Sequence, residues 1–159
     1  MKLKKLVSAV TALSVVAALC ASLSGCGEKK SDKYKVGICQ LAQHEALDAS
    51  TQGFKDALKE KLGDKVTFDE QNAAGEPATC TTIVNQFVSG KVDLIFANAT
   101  GALQAAVSAT DSIPIVGTSV TDYATALEMK DWSGKTGINV TGTSDLAPLD
   151  KQAEMFKEL

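Results

Sequence analysis

Five short polar clusters carry most of the chemistry this sequence offers, and each follows an apolar run. They are Gln40-Leu41-Ala42-Gln43-His44, Gln71-Asn72-Ala73-Ala74-Gly75, Asn98-Ala99-Thr100-Gly101, Thr118-Ser119-Val120-Thr121-Asp122 and Thr143-Ser144-Asp145. They supply amides, hydroxyls and single carboxylates, with no nucleophile set beside a base. Such a mixture suits the rim of a binding site better than a reaction centre. Thr100 is the leading candidate: a Thr opening a helix caps free backbone N–H groups, and those groups can also receive an anion. With Gly101 next to it, the backbone is open to a carboxylate, a task usually given to a bidentate Arg. Asp122 or Asp145 would then meet an α-ammonium group. Each has a plainer reading: Thr100 as an ordinary N-cap, the two Asp as turn formers, and His44 as a residue that opens a helix without touching a ligand.

Other chemistries are poorly served. There is no GxSxG elbow, no GxGxxG run and no GxxxxGK[ST] loop. Asp93 sits at the start of its apolar run, the wrong end for a phosphoacceptor. His44, Glu45 and Asp48 share one helical face, but the chain has a single His and no CxxC pair, so no metal site is expected. Cys39 and Cys80 could pair in an oxidising compartment or remain buried thiols. All 16 basic residues are Lys against 19 acidic ones, for a net charge of −3. Nucleic acid is excluded as a partner, because phosphate recognition needs clustered positive charge. No cofactor is implied.

The N-terminus has its own logic. Met1-Lys2-Leu3-Lys4-Lys5 is a basic head, and Leu6 to Leu23 has no charged residue. That length raises the question of a membrane-spanning helix. The ending Leu23-Ser24-Gly25-Cys26 decides for a cleaved signal. It resembles the bacterial lipobox, in which the Cys is diacylated and becomes the new N-terminus. We therefore expect a lipoprotein signal peptide over residues 1–25. Lipidated Cys26 and a flexible tether would occupy 26–33, holding an extracytoplasmic domain to the cell membrane by two acyl chains.

The polar clusters need a frame that keeps them on one side. Tyr34–Gln40 reads as a first strand. Glu45–Leu62 reads as a helix with Leu47, Phe54, Leu58 and Leu62 at helical spacing. Lys65–Asp69 alternates, as an edge strand would. Pro77 suits the first position of a helix with Ile83, Val84, Phe87 and Val88 on its buried stripe and Gly90 as its stop. Val92–Ala97 reads as a buried strand, Gly101–Ala109 as an Ala-rich helix and Ile113–Thr118 as a strand. Thr121–Trp132 suits a short crossover and Gly137–Gly142 a fifth strand. A last helix starts at Leu149 with Ala153, Phe156 and Leu159 on one side. Strands alternating with helices predict an α/β fold, a doubly wound parallel sheet of flavodoxin-like type over residues 34–159. In such sheets ligands bind beyond the C-terminal ends of the strands, where all five clusters fall.

The clusters and their neighbours resemble a known family. Val36-Gly37-Ile38-Cys39-Gln40, His44-Glu45-Ala46-Leu47-Asp48 and Gly53-Phe54 are similar to the start of the ABC-transporter substrate-binding proteins that include tryptophan- and tyrosine-binding lipoproteins. Gln71-Asn72-Ala73, Asp93-Leu94-Ile95, Ala99-Thr100 with Gln104, Ile113-Pro114-Ile115-Val116, Val120-Thr121-Asp122, Asn139-Val140-Thr141-Gly142 and Ser144-Asp145 continue the likeness. The resemblance implies a type I periplasmic-binding fold, two hinged lobes that close on a small molecule and dock on ABC permease subunits. It implies Gln40, His44, Asn72, Thr100, Gln104, Asp122 and Asp145 as ligand-lining positions. The implied ligand is an amino acid, aromatic ones included, or a similar small polar molecule.

Two departures stand out. The family usually has Pro where this chain has Tyr123, which would either offer a stacking face to an aromatic ligand or pack on the surface. The family also has a second lobe, whereas this sequence stops within an amphipathic stretch and reads as a truncated N-terminal lobe. A single lobe should bind its ligand far more weakly than a closed pair. The competing reading is a membrane-tethered sensor or docking lobe without tight small-molecule binding.

Overall fold

The computed structural model describes residues 33–157. The signal segment, Cys26 with most of the tether, and Leu159 lie outside the described residues.

The elements run β1 (Tyr34–Gln40), α1 (Glu45–Leu62), β2 (Val66–Asn72), α2 (Pro77–Ser89), β3 (Leu94–Asn98), α3 (Thr100–Ala109), β4 (Ile115–Val120), α4 (Tyr123–Ala126), β5 (Val140–Ser144) and α5 (Leu149–Met155). The strands form one sheet in the order β2-β1-β3-β4-β5, and every neighbouring pair is parallel. This is the flavodoxin-like order, reversing direction between β1 and β3. It is an α/β fold, a doubly wound parallel sheet with a core on each face.

Alternation along β1 assigns the layers. Val36 and Ile38 join Phe96 and Val66 in a core covered by Phe54, Leu58 and Leu62 of α1. The rings of Phe54 and Phe96 stack with centroids 3.9 Å apart. Cys39 faces the opposite way, into a larger core with Cys80, Ile83, Val84 and Phe87 of α2, Leu103 and Ala106 of α3 and Tyr123 of α4. Gly37 has the same facing as Cys39, and α2 lies so close there that an added Cβ would come within 2.6 Å of the Phe87 ring. Pro77 takes the first turn of α2, and Gly90 receives its end.

Several expectations shift, and β3 and β4 each begin two residues later than expected, at Leu94 and Ile115. β5 begins at Val140 rather than Gly137. Gly137 turns the chain at φ 66°, and the Asn139 side chain is held by the carbonyls of Thr110 (3.2 Å) and Ile113 (2.7 Å), so pairing starts one residue later. β2 extends to Asn72, beyond the alternating stretch. α5 is seven residues long and buries none of them; Leu149 and Phe156 are exposed. Among the described residues, no helix is long and apolar enough to cross a membrane.

Candidate functional site

The C-terminal ends of the strands bring the polar clusters to one side of the sheet, but the side chains there are used in different ways. Gln40, the last residue of β1, is only 4% exposed. Its amide nitrogen donates to Asp48 Oδ1 (2.6 Å) and to the Ala42 carbonyl (2.9 Å). Its carbonyl oxygen accepts from Thr51 Oγ1 at 2.7 Å. Thr51 in turn accepts from Asn98 Nδ2 at 2.9 Å, and the same nitrogen donates to the Leu47 carbonyl at 2.8 Å. A buried polar network thus fastens the first two turns of α1 to the ends of β1 and β3. Asn98 Oδ1, fully buried, has no hydrogen-bond partner.

Asn98, Thr51 and Asp48 were not among the sequence candidates. Thr51 was detectable in principle, because it interrupts the apolar stripe that runs through Leu47, Phe54 and Leu58. Asn98 reads in sequence only as part of a rim cluster, because the apolar run ends at Ala97, whereas the strand extends to Asn98 itself.

His44 is the N-cap of α1, where its Nδ1 accepts from the Ala46 N–H at 3.2 Å. Asn72 closes a turn by accepting from the Ala74 N–H at 2.8 Å. Both are exposed at the rim. Thr100 differs from the expected N-cap. It is the first helical residue of α3, and the cap position is Ala99, at φ 87° and without a side-chain bond. The first N–H groups of α3 therefore lack a side-chain acceptor, and Gly101 beside them meets only Leu41. Gln104 lies one turn further on and is tied to α4, donating to the Ala126 carbonyl at 3.2 Å. It borders a groove of about 420 Å³ with Val107, Ser108 and Leu127.

On the other side of the rim, Asp122 caps α4. Oδ1 accepts from the Ala124 N–H (2.9 Å) and Oδ2 from the Thr125 hydroxyl (2.6 Å). The Thr125 hydroxyl bond lowers its pKa below the ordinary carboxylate value. Asp145 is exposed, and its backbone N–H donates to the Val120 carbonyl at 3.2 Å. Its carboxylate accepts no hydrogen bond among the described residues. Thr118 and Thr143 share a hydroxyl contact of 3.1 Å across β4 and β5.

Tyr123 neither packs on the surface nor offers a free stacking face. It is buried, its ring pressed over Gly117 and Gly142, where an added Cβ at Gly117 would come 2.5 Å from the phenol oxygen. Its hydroxyl donates to the Thr143 carbonyl at 3.3 Å. Burial first, and the Asp145 charge second, raise its pKa. One edge borders a cavity of about 390 Å³ beside Trp132 and β5.

Among the described residues, no three His, Cys, Asp or Glu side chains are grouped to hold a metal ion. The rim thus presents α3 N–H groups without a side-chain acceptor at one place and the exposed Asp145 carboxylate at another.

The chain is similar to known proteins in both sequence and fold. Residues 35–159 match the family described as ABC transporter substrate binding protein. A tyrosine-binding protein of Clostridioides difficile is 44% identical over 137 residues, covering 82% of this chain and 39% of that protein. The ligand-free, open structure of a substrate binding protein with adhesive properties from Clostridium difficile is 43% identical, with a TM-score of 0.72. The match covers 79% of this chain and 43% of that one. An ABC domain from Streptococcus pneumonia in complex with L-Trp is 36% identical at the same TM-score, covering 80% and 43%. The chain thus spans about two fifths of the length of these relatives.

Proposed function

Because the chain belongs to the family of ABC transporter substrate-binding proteins, we propose that it forms one wall of an extracytoplasmic cleft for an amino acid, with tyrosine and tryptophan the first candidates. The observation that carries this reading is the uncapped start of α3 at Thr100, facing the same rim as the unengaged carboxylate of Asp145. A helix N-terminus favours negative charge by about 0.3–1 kcal/mol at exposed sites, so the ligand carboxylate goes to Thr100–Ala102. The α-ammonium goes to Asp145 in preference to Asp122, both of whose oxygens are already engaged. Gln40 acts from beneath, through the backbone it fixes, while His44 and Asn72 border the ligand. Relatives named for tyrosine and bound to L-Trp support an aromatic side chain.

Cys26 carries the lipid anchor in this reading, and ABC permease subunits receive the ligand. The protein performs no chemistry on what it binds. One wall cannot enclose the roughly 70–90% of a ligand's surface that tight sites bury, so affinity of this chain alone is weak.

Titration with L-Trp followed by amide NMR tests the reading. The expected result is weak, saturable shifts at Thr100, Gly101 and Ala102, selective for the L enantiomer and reduced by Asp145→Asn. Shifts that spare those three amides, or equal effects from D-Trp, would overturn it. A micromolar dissociation constant would overturn the single-wall argument. Loss of acylation in Cys26→Ala, read by mass spectrometry of the N-terminal peptide, tests the anchor.

A further inference from the structure

We propose that Cys39 and Cys80 form a disulfide that fastens α2 to the centre of the sheet. The two positions are matched by simple geometry. α2 returns antiparallel to β1, and its Phe87 lies against Gly37. Two residues further along β1, on the same face of the strand, is Cys39; two turns back along α2, on the same face of the helix, is Cys80. Both side chains are fully buried in one apolar cluster. Both are free cysteines, and each lies close enough to act on the ionisation of the other. Neither serves the rim.

Timing follows from burial. Desolvation, reinforced by the neighbouring Cys80, pushes the Cys39 thiol far above its ordinary value, and burial also raises Cys80. The thiolate is the species that attacks a disulfide, so exchange belongs to the stage before α2 seats on the sheet. The oxidant is an external disulfide, small or protein-borne. One protein thiolate attacks a sulfur of that disulfide and releases a thiol. The second protein thiolate then attacks the mixed disulfide and releases the other thiol. The protein pair loses two electrons and two protons, and the oxidant is reduced to two thiols. An extracytoplasmic site supplies the setting in which such bonds persist, but the juxtaposition itself does not depend on ligand or transport.

The test is to refold the full chain from denaturant in a mixture of oxidised and reduced glutathione. The product is then alkylated in denaturant and its peptides mapped by mass. Cys39 and Cys80 should escape alkylation and appear as one cross-linked pair, two hydrogens lighter than the free peptides. Reductant should restore both to alkylation and lower the Tm by roughly 10 °C, as loss of a loop-closing bond predicts. Cys39→Ala should leave Cys80 alkylatable and the Tm indifferent to reductant. The peptide map decides the question even where that variant folds poorly. Full alkylation of both residues after oxidative refolding, or cross-links from either to Cys20 or Cys26, would overturn the proposal.

Discussion

The rim has two sides built on opposite plans. At the ends of β1 and β3, the buried side chains of Gln40, Thr51 and Asn98 bond to one another, and exposed Asp48 accepts from Gln40 at the margin of that chain. At the ends of β4 and β5, Thr118, Thr143, Asp122 and Asp145 keep theirs near solvent, in short local contacts or in none. The first side fixes where the α1 and α3 termini stand. The second leaves side chains available to a ligand. Polar residues at the rim therefore divide into those that hold the backbone and those left near solvent. Burial separates the two better than residue type does.

Substitutions can break that division or sharpen it. Asn98→Leu should cost the most, about 3 kcal/mol in urea unfolding, because Thr51 Oγ1 and the Leu47 carbonyl lose a buried donor. Hydrogen exchange over residues 40–48 should accelerate at the same time. A cost below about 1 kcal/mol would mean that the buried network is incidental. Gly142→Ala should follow at roughly 2–3 kcal/mol, since its Cβ would press on the Gly117 carbonyl and the Tyr123 hydroxyl. That result would show that the backbone under the second side is as tight as the first, even though the side chains above it are not. Thr118→Ala with Thr143→Ala should change stability by less than about 0.5 kcal/mol, as exposed hydroxyl pairs do. A larger loss in thermal unfolding would move this side into the locked class.

Asp122→Asn should give the smallest effect, and one that depends on pH. The Thr125 hydroxyl holds the folded-state pKa below the ordinary 3.8, so the stabilisation is fully present above that value and is lost as pH falls through the lower folded pKa. A small Tm deficit of the variant near neutrality should persist down to the ordinary carboxylate range and close as pH falls through the lowered folded-state pKa. A deficit independent of pH would assign the effect to the lost cap geometry instead.

Much of the frame was legible because the sheet is buried on both faces. Runs such as Val36–Cys39 and Ile95–Ala97 are apolar throughout, and the intervening helices carry clear stops at Gly63 and Gly90. The edge position of β2 showed in the alternation of Val66-Thr67-Phe68-Asp69. The site was harder to read. Thr100 looked like a cap because Thr commonly is one, yet the strained backbone of Ala99 takes that place. Tyr123 looked like a surface or ligand residue until two glycines from adjacent strands proved to make room for its ring. Asn98 ends an apolar strand and reads as loop polarity, although its amide is enclosed by a helix that begins far earlier in the chain. Such pairings depend on which strands become neighbours, and periodicity along a single segment carries no record of them.

The strand order also governs how the chain reaches this state. β1 lies between β2 and β3, so a nascent chain that has emerged only as far as Asn72 can occupy one of its edges. The other, flanked by Val36, Gly37, Ile38 and Cys39, stays bare until Leu94–Asn98 arrives. Pairings between distant segments must first close long loops, which slows folding. During that interval the open β1 edge is the stretch most exposed to aggregation and the one a chaperone would best hold.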